Sequence, residues 1–362
     1  MHLDALDGLR GIAVLLVVLS HLGNGGYELL PALDLRGTGR HGVYLFFALS
    51  AFLLTRPFVA REAPALRDGR VWLRYALRRI LRIYPLYGFV LACDFAATRL
   101  GPPPALAFTA MPLDSLIGHL ALRQGRGLYW TIPVEFAYYL VLPLVVVGFA
   151  AALRRRLGAA AVACAALIFA SIRLWPPAEV PRDALSLGPY LPIFLLGSLA
   201  ALASTHIDER AAPDALLRRM LRWAAIASAL AALLLTPSLA SLLAGSPIEK
   251  DHFHRSFTLF GAVWSTLILG VVHGGGPLAR ALSSRALRFV GVVSFSVYLW
   301  HMQVIKTLVL QAAPVSTYAV AWAALLLSLL LAALSWTLIE APFLRGALAR
   351  RVLALTRSQP RA

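Results

Sequence analysis

The sequence predicts an all-α integral membrane protein with about ten transmembrane helices. Its 362 residues are 59% hydrophobic and only 14% charged, and the mean hydropathy is +0.74. A soluble globular protein carries about 25% charged residues, so this chain has too few charges to cover a water-facing surface. The apolar residues are gathered into runs long enough to cross a bilayer. The same composition excludes intrinsic disorder, a coiled coil and a secreted disulfide scaffold.

Ten apolar segments are candidates for transmembrane helices, because each is near the ~20 residues that span a hydrocarbon core. The first is predicted to be a retained span, since Asp4 and Asp7 lie around its start, where a signal peptide would carry positive charge. The seventh is the weakest in length but consists almost entirely of Ala and Leu. In chain order the segments are 6–23, 41–58, 84–99, 128–151, 158–173, 187–204, 221–236, 257–273, 289–311 and 316–339.

The distribution of positive charge predicts the orientation of these spans. Cytoplasmic loops of membrane proteins are enriched in Lys and Arg. The segments that follow spans 2, 4, 6, 8 and 10 hold 23 of the 34 Lys and Arg residues, whereas the alternate loops hold 9. Both termini are therefore predicted to be cytoplasmic, with the chain in a bacterial inner membrane. Because topology accounts for most of the net charge of +17, we expect no nucleic-acid partner.

Composition divides the chain into one transmembrane domain, residues 1–345, and a basic cytoplasmic tail, residues 346–362. Between spans 2 and 3, arginines recur every three or four residues, while Leu and Ile fill the other side. This pattern predicts a basic amphipathic helix on the inner membrane surface. The arginines of this stripe are Arg67, Arg70, Arg74, Arg78 and Arg82.

Two ionisable residues lie within the first span, where such side chains are costly and indicate function. Arg10 and His21 are eleven residues apart, which is about three helical turns and ~16 Å. They therefore share one face of the helix at different depths, with Arg10 at the cytoplasmic mouth. This pattern suits an elongated anionic ligand whose phosphates meet Arg10 and whose reactive end reaches His21. A topological Arg and a His bonded to a neighbouring helix explain it equally well.

Glu135 lies in span 4, roughly two helical turns below the outer surface and at a depth similar to that of His21. A carboxylate at this depth can orient an imidazole or balance its charge, and so raise its basicity. The alternative is a buried structural ion pair. Trp130 leads into the same span, where an interfacial anchor is the simplest role for it.

Two further motifs carry polar groups near or within the membrane. Arg79 and Arg82 belong to a basic run, and Arg is suited to bidentate phosphate contacts. Attraction to anionic lipid headgroups is the alternative, and spacing alone favours it. In span 9, His301 falls near the middle of the bilayer after Ser294 and Ser296, which are typical of helix–helix contacts.

In chain order, these motifs resemble the acyltransferase-three family of integral-membrane O-acyltransferases. The resemblance covers nearly the whole chain. The second span departs from the family pattern, with Ala51 where Gly is usual and Tyr44 where an acidic residue is common, so Ser50 is given no role. The motifs are the stretches 6–21, 46–50, 79–85, 130–135, 294–301 and 340–342.

The resemblance implies a ten-span fold, an acyl-CoA donor on the cytoplasmic side and an acceptor hydroxyl. The acceptor is expected on a sugar of a surface polysaccharide, a lipid-linked glycan or a small glycoside. The donor is expected to be acetyl-CoA, used as a co-substrate. We expect no tightly bound cofactor and no metal, since the spacing of His, Cys and acidic residues does not match a metal site.

Individual roles follow from the resemblance and from the positions of the polar residues. Arg10, Arg79 and Arg82 are predicted to bind the phosphates of acyl-CoA. His21 is predicted to act as general base on the acceptor hydroxyl, with Glu135 orienting it or balancing its charge. A covalent acyl-histidine that relays the acyl group outward is an open alternative. The residues predicted to bind substrate are Trp130 and His301.

Two other classes of function remain open at this stage. A transporter or flippase of a polar lipid-linked glycan would use the same intramembrane charges without acyl chemistry, although the sequence has no inverted repeat and no paired broken helices. A non-catalytic membrane scaffold that binds glycan is the other class. Transfer of label from acetyl-CoA to glycan, lost when His21 is replaced, distinguishes the enzyme from both.

Overall fold

The computed structural model of the chain describes residues 4–30, 34–100, 109–209, 214–311 and 316–346, together with residues 350 and 354. Throughout these ranges the regular elements are helices and there is no strand, which confirms the predicted all-α class. The helices are α1 (Asp4–Asn24), α2 (Gly39–Val59), α3 (Gly69–Leu100), α4 (Leu113–Leu120), α5 (Thr131–Val147), α6 (Leu157–Leu174), α7 (Leu191–Asp208), α8 (Ala215–Leu234), α9 (Pro237–Ala244), α10 (Phe257–Gly274), α11 (Gly276–Leu282), α12 (Arg285–Val292), α13 (Ser294–Gln311), α14 (Thr317–Ser335) and α15 (Ala341–Arg345).

The number of candidate membrane spans agrees with the predicted ten. Eight segments of the described chain are long and apolar enough to cross a bilayer, and two bent helix pairs bring the total to ten. The first pair, α8 and α9, is bent by 79°, and the second, α12 and α13, by 75°. Pro237 begins α9, which places its missing N–H in the first helical turn, where no partner is needed.

Helix α3 joins two elements that the sequence analysis treated separately. The basic stretch predicted as a surface helix and the third span form one helix of 32 residues. Pro85 lies inside this helix without ending it. Membrane helices tolerate an internal proline when neighbouring groups satisfy the carbonyl that loses its hydrogen bond. As a result Arg79 and Arg82 are carried on the same rigid element that enters the bundle. Most of the predicted basic tail, 346–362, lies outside the described residues.

The two ends of the bundle are named here after the ionisable residues of α1. The Arg10 end is the end at which α1 begins, and there Arg82 of α3 forms an ion pair of 2.5 Å with Glu340. The His21 end is the end at which α1 finishes and α2 starts. That the Arg10 end faces the cytoplasm stays a prediction.

Helix α1 lies close against α11 and α12 because glycines remove side chains from these contacts. A Cβ atom on Gly8 would lie 1.8 Å from the carbonyl oxygen of Leu282, and one on Gly291 would lie 1.8 Å from the carbonyl oxygen of Asp7. Small residues allow helix backbones to approach closely in membranes. Helix α1 also packs against α2 and α13, so its position is fixed on several sides.

A cluster of buried aromatic rings joins three helices of the bundle. The ring of Phe194 stacks on Phe47 at 4.8 Å and on Tyr138 at 4.2 Å, and Phe47 meets Trp130 edge to face at 6.0 Å. These rings are buried and join α2, α5 and α7. Aromatic pairs in these arrangements contribute beyond the area they bury, so they form a stiff wall for the cavities described next.

Candidate active site

The first cavity, called the Arg10 cavity, has about 690 Å³ of open space. Three guanidinium groups and one carboxylate line its polar part, and aromatic and aliphatic side chains line the rest. Such a lining suits a ligand with phosphates at one end and an uncharged arm at the other. Its ionisable side chains, apart from tyrosines, are Arg10, Arg79, Arg82 and Glu135, and its main apolar ones are Val43, Phe46, Phe47, Leu49, Ile83, Ile132 and Phe295.

Arg10 and Arg82 enter the Arg10 cavity from different helices and are held by polar side chains. The Arg10 Nη2 donates a hydrogen bond of 3.3 Å to the Ser294 hydroxyl. The Arg82 Nη1 donates to Glu340 Oε2 over 2.5 Å, and the Ser296 hydroxyl donates to the other oxygen of that carboxylate. The charges of Arg10 and Arg82 are close enough to repel each other. An anion between them would relieve that repulsion.

Arg79 supplies the third guanidinium and has an unsatisfied donor. Its Cζ atom lies 5.8 Å from the centroid of the Tyr139 ring. Its Nε is buried and has no hydrogen-bond acceptor among the described residues. A buried donor without a partner is costly, so this group is available to a ligand oxygen. In this respect Arg79 fits the predicted role in phosphate binding.

Glu135 lies in the Arg10 cavity, where neighbouring hydroxyl groups hold one of its two carboxylate oxygens. Its Oε1 accepts one hydrogen bond of 2.6 Å from Ser50 and another of 2.6 Å from Tyr139. Its charge is attractive to Arg10. In the described chain there is no hydrogen bond between Glu135 and His21, so direct support of the imidazole by this carboxylate stays a prediction.

The second cavity, called the His21 cavity, lies toward the other end of α1 and has about 990 Å³ of open space. Side chains that donate hydrogen bonds and side chains that accept them both line this cavity, and Trp130 contributes an aromatic ring. This mixture of groups suits a polyhydroxylated ligand better than a lipid tail. The polar side chains that line it are Ser20, His21, Asn24, Arg40, Trp130, Arg182, Asp183, Lys250, Asp251, His254 and Tyr298.

Charges in the His21 cavity are largely paired. Arg40 forms an ion pair of 2.9 Å with Asp183, and its Cζ lies 5.3 Å from the centroid of the Trp130 ring. Burial lowers the pKa of the His254 imidazole in the adjoining loop, while its hydrogen bond to the Gly37 carbonyl opposes that shift. A neutral His254 keeps this part of the cavity polar without adding a positive charge.

The two cavities meet at a shared wall. Val43 of α2 and Tyr298 of α13 line both of them. The Tyr298 hydroxyl donates to the Leu128 carbonyl over 2.7 Å and accepts a hydrogen bond of 3.1 Å from Thr131. Tyr298 is thereby held in place, and together with Val43 it separates the two cavities.

His21 meets a second histidine at the wall of its cavity. The ring centroids of His21 and His301 are 5.3 Å apart, with an angle of 44° between the rings. His301 is fully buried, and its Nδ1 donates to the Tyr298 carbonyl over 2.7 Å. Its Nε2 is buried and without a hydrogen-bond partner among the described residues. The sequence predicted a substrate contact for His301, and the structure brings it to His21.

A second histidine cluster has the atom order of a catalytic triad. His273 Nε2 is 2.8 Å from the Ser204 hydroxyl, and its Nδ1 is 3.9 Å from Asp208. Ser204 is fully buried, which denies a substrate access to the hydroxyl. The cluster joins α7 and α10 and is typical of hydrogen bonds between membrane helices.

The described residues hold no group of His, Cys and acidic side chains arranged for a metal ion.

Sequence reasoning placed five charged site residues in this region and missed several of their partners. Arg10, Arg79, Arg82 and Glu135 line one cavity, and His21 lines the other together with Trp130. Ser50 was set aside because of its atypical neighbour, although it bonds Glu135. Glu340 begins the last of the family motifs, and Tyr139 follows the motif 130–135, but sequence reasoning assigned neither of them a role.

Comparison with known proteins identifies related sequences. The profile of a family described as an acyltransferase domain matches residues 3–339. No solved structure matches the chain at a significant level.

Two curated proteins are similar over most of the chain. Nodulation protein 10 of Rhizobium leguminosarum bv. viciae is 26% identical over an alignment 389 positions long, gaps included, which covers 95% of this chain and 94% of that protein. Peptidoglycan O-acetyltransferase OatA of Listeria monocytogenes serovar 1/2a is 23% identical over 328 aligned residues, or 84% of this chain. The chain spans about half of that relative, 49% of its length.

Proposed function

The chain belongs to the acyltransferase-three family of integral-membrane O-acyltransferases, as its motifs predicted, and we propose that it moves an acetyl group from acetyl-CoA to a sugar hydroxyl. The acceptor is a surface polysaccharide, a lipid-linked glycan or a small glycoside. The name of one relative, a peptidoglycan O-acetyltransferase, supports a carbohydrate acceptor. The contact between a cationic cavity and a histidine-lined cavity is the observation that carries the proposal.

The Arg10 cavity is the proposed binding site of the donor. Phosphate groups of acyl-CoA lie at Arg10, Arg79 and Arg82, where the unsatisfied Nε of Arg79 and the mutual repulsion of Arg10 and Arg82 favour an anion. The uncharged arm follows the apolar lining toward Val43 and Tyr298. Glu135 offsets part of the positive charge at Arg10, while Arg82 is paired with Glu340.

The His21 cavity is the proposed site of the acceptor and of the chemistry. His21 takes the proton from the acceptor hydroxyl, and the oxygen forms a bond with the carbonyl carbon of the thioester. The carbon–sulfur bond then breaks, and the imidazolium returns its proton to the departing thiolate of CoA. Trp130 lines this cavity with the Arg40 guanidinium over its ring, and this pair is the proposed contact of the acceptor sugar.

The orientation of the chain completes the proposal. The Arg10 end faces the cytoplasm, where acyl-CoA is present, and the His21 end faces the outside of a bacterial inner membrane. The excess of arginines in the loops at the Arg10 end supports this arrangement. An acetyl group loaded at one surface is then delivered close to the other.

The test uses membranes that contain the full chain, acetyl-CoA labelled in the acetyl group and peptidoglycan fragments as a probe acceptor beside the endogenous glycan. We expect label in the glycan with the wild-type chain and its loss with His21→Ala. His206→Ala is the matched control, because His206 bonds only a backbone carbonyl of its own helix.

Each outcome of this test has a distinct meaning. Glycan that moves across the membrane without acquiring label would replace the enzyme with a transporter. Label retained on His21 after removal of acetyl-CoA would identify a covalent acyl-histidine in place of direct transfer. Equal labelling by the wild-type chain and His21→Ala would contradict the role of the imidazole.

A further inference from the structure

His301 has a buried ring nitrogen, Nε2, that can accept a hydrogen bond and has no donor among the described residues. The side chain is fully buried on α13, and its Nδ1 is 2.7 Å from the Tyr298 carbonyl and 3.2 Å from the Val297 carbonyl. Carbonyl oxygens only accept hydrogen bonds, so this nitrogen carries the proton. The other nitrogen, Nε2, then has a free lone pair. It is buried without a donor in the described part of the chain.

The neighbour that can supply this donor is His21. Its ring centroid is 5.3 Å from that of His301, close enough for a small change of side-chain torsion to bring two ring nitrogens within hydrogen-bond distance. A neutral imidazole has one N–H and one lone pair. If His21 gives its N–H to His301, its second nitrogen is left as the base.

We infer that His301 is the positioning residue for His21. Its backbone-anchored ring fixes the tautomer and orientation of the His21 imidazole, so that the basic nitrogen points into the His21 cavity. This assignment rests on the proposed acyl transfer and replaces a direct substrate contact as the role of His301.

The same contact supports the reaction after proton transfer. When His21 has taken the proton of the acceptor hydroxyl, both of its nitrogens carry hydrogen. One N–H is given to His301 Nε2, and the other faces the thiolate that leaves the thioester. His301 itself stays neutral throughout, because its own proton remains on the bond to the Tyr298 carbonyl. The imidazolium is thus stabilised without a carboxylate in contact with His21.

The alternative is that His301 Nε2 accepts a hydrogen bond from the substrate. The two roles differ in kinetics, because loss of a substrate contact raises KM for the acceptor, whereas loss of positioning lowers kcat. They differ also in their dependence on His21. A residue that acts through His21 has no further effect once the imidazole has been removed.

Two amides separate the functions of the two His301 nitrogens. The amide of Asn ends near the position of Nδ1 and keeps a donor for the Tyr298 carbonyl, whereas Gln reaches the position of Nε2 and keeps an acceptor for His21. The matched control is the same pair of substitutions at His206, whose Nδ1 also bonds a carbonyl of its own helix, at Leu202.

The experiment measures free CoA thiol released from acetyl-CoA by the purified full chain in proteoliposomes, with peptidoglycan fragments as the probe acceptor. We expect His301→Asn to lower kcat by about 10- to 100-fold, a scale taken from the loss of partners that orient metal-binding histidines. KM for acetyl-CoA and for the fragments stays the same. His301→Gln retains most of the activity, and both His206 variants match the wild type. In a His21→Ala background, His301→Asn has no further effect.

Three kinetic outcomes overturn the inference. The first is an equal loss of kcat in His301→Asn and His301→Gln. The second is a raised KM for the fragments at constant kcat. The third is a further loss of activity when His301→Asn is added to His21→Ala. Melting temperature of each variant in detergent is measured alongside, and a drop in His301→Asn that His301→Gln shares assigns the histidine to folding, which also overturns it. Absence of thiol release from the wild-type chain would instead contradict the proposed function.

Discussion

Val43 and Tyr298 line both cavities, so each touches the space around the arginines and the space around His21. The two residues come from α2 and α13, which both pack against α1. In the proposed transfer, the acyl group moves from one cavity to the other between them. We therefore expect this pair to decide the size of the acyl group that is transferred.

Val43→Ala is expected to relax the preference for acetyl over propionyl groups by about tenfold, because one methylene in a closely fitting pocket changes selectivity by about 10- to 200-fold. Val43→Phe is expected to stop transfer while acetyl-CoA still binds. The measurement is competition between acetyl-CoA and propionyl-CoA as donors. Val14→Ala is the control, since Val14 is buried in α1 but belongs to neither cavity lining. An unchanged preference in Val43→Ala would rule out this assignment.

Arg79→Gln is expected to raise KM for acetyl-CoA by about 10- to 150-fold, which corresponds to the ~1.5–3 kcal/mol of a hydrogen bond to a charged group. The neighbouring Arg78 is exposed and is not part of the lining of the Arg10 cavity, so Arg78→Gln serves as the matched control. Steady-state kinetics at varied acetyl-CoA measures both. If the two variants behave alike, the arginines act on lipid and not on the donor.

Glu340→Ala is expected to destabilise the fold by about 3–5 kcal/mol, because it leaves Arg82 without the buried partner that now holds it. Glu340 is 1% exposed and Arg82 18% exposed. The control is Glu209→Ala, which breaks an exposed pair with Arg155 that contributes about 0–1 kcal/mol. Thermal unfolding in detergent gives the comparison. Equal melting temperatures for the two variants would show that the buried pair is dispensable.

Gly291→Ala is expected to prevent the close approach of α12 to α1, since its Cβ would overlap the Asp7 carbonyl oxygen at 1.8 Å. Overpacking of this kind costs about 1–3 kcal/mol or more and here also displaces Arg10. Gly158→Ala, whose Cβ would meet no atom within 4 Å, is the control. Yield of folded protein and transfer activity are measured for both. Normal activity in Gly291→Ala would mean that the contact with α12 does not position Arg10.

The fold was largely predictable because its signals are local. Runs of apolar residues mark the spans, and the helical period alone places Arg10 and His21 on one face of α1. The bend between α12 and α13 was not predicted, since residues 289–311 read as one apolar run. Helix α9 was not predicted either, because the seventh span was expected to end at residue 236, before α9 begins. The continuity of α3 through Pro85 was not foreseen either, because a proline usually ends a helix.

The contacts of the site were less predictable, because they join residues that are far apart in the chain. Glu340 lies 258 positions from the Arg82 that it pairs with, and its partner depends on how α3 packs against residues 336–340 and α15. Glu135 was expected beside His21 from depth alone. Depth does not specify the direction in which a side chain points, and the carboxylate turns toward Ser50 instead.

The most direct test of the account asks whether acetyl groups cross from the Arg10 end to the His21 end. Proteoliposomes of the full chain are loaded with peptidoglycan fragments, and labelled acetyl-CoA is added only outside. We predict label on the enclosed fragments, lost with Val43→Phe and with His21→Ala. Label that appears only when donor and acceptor are on the same side of the membrane would contradict a passage between the two cavities.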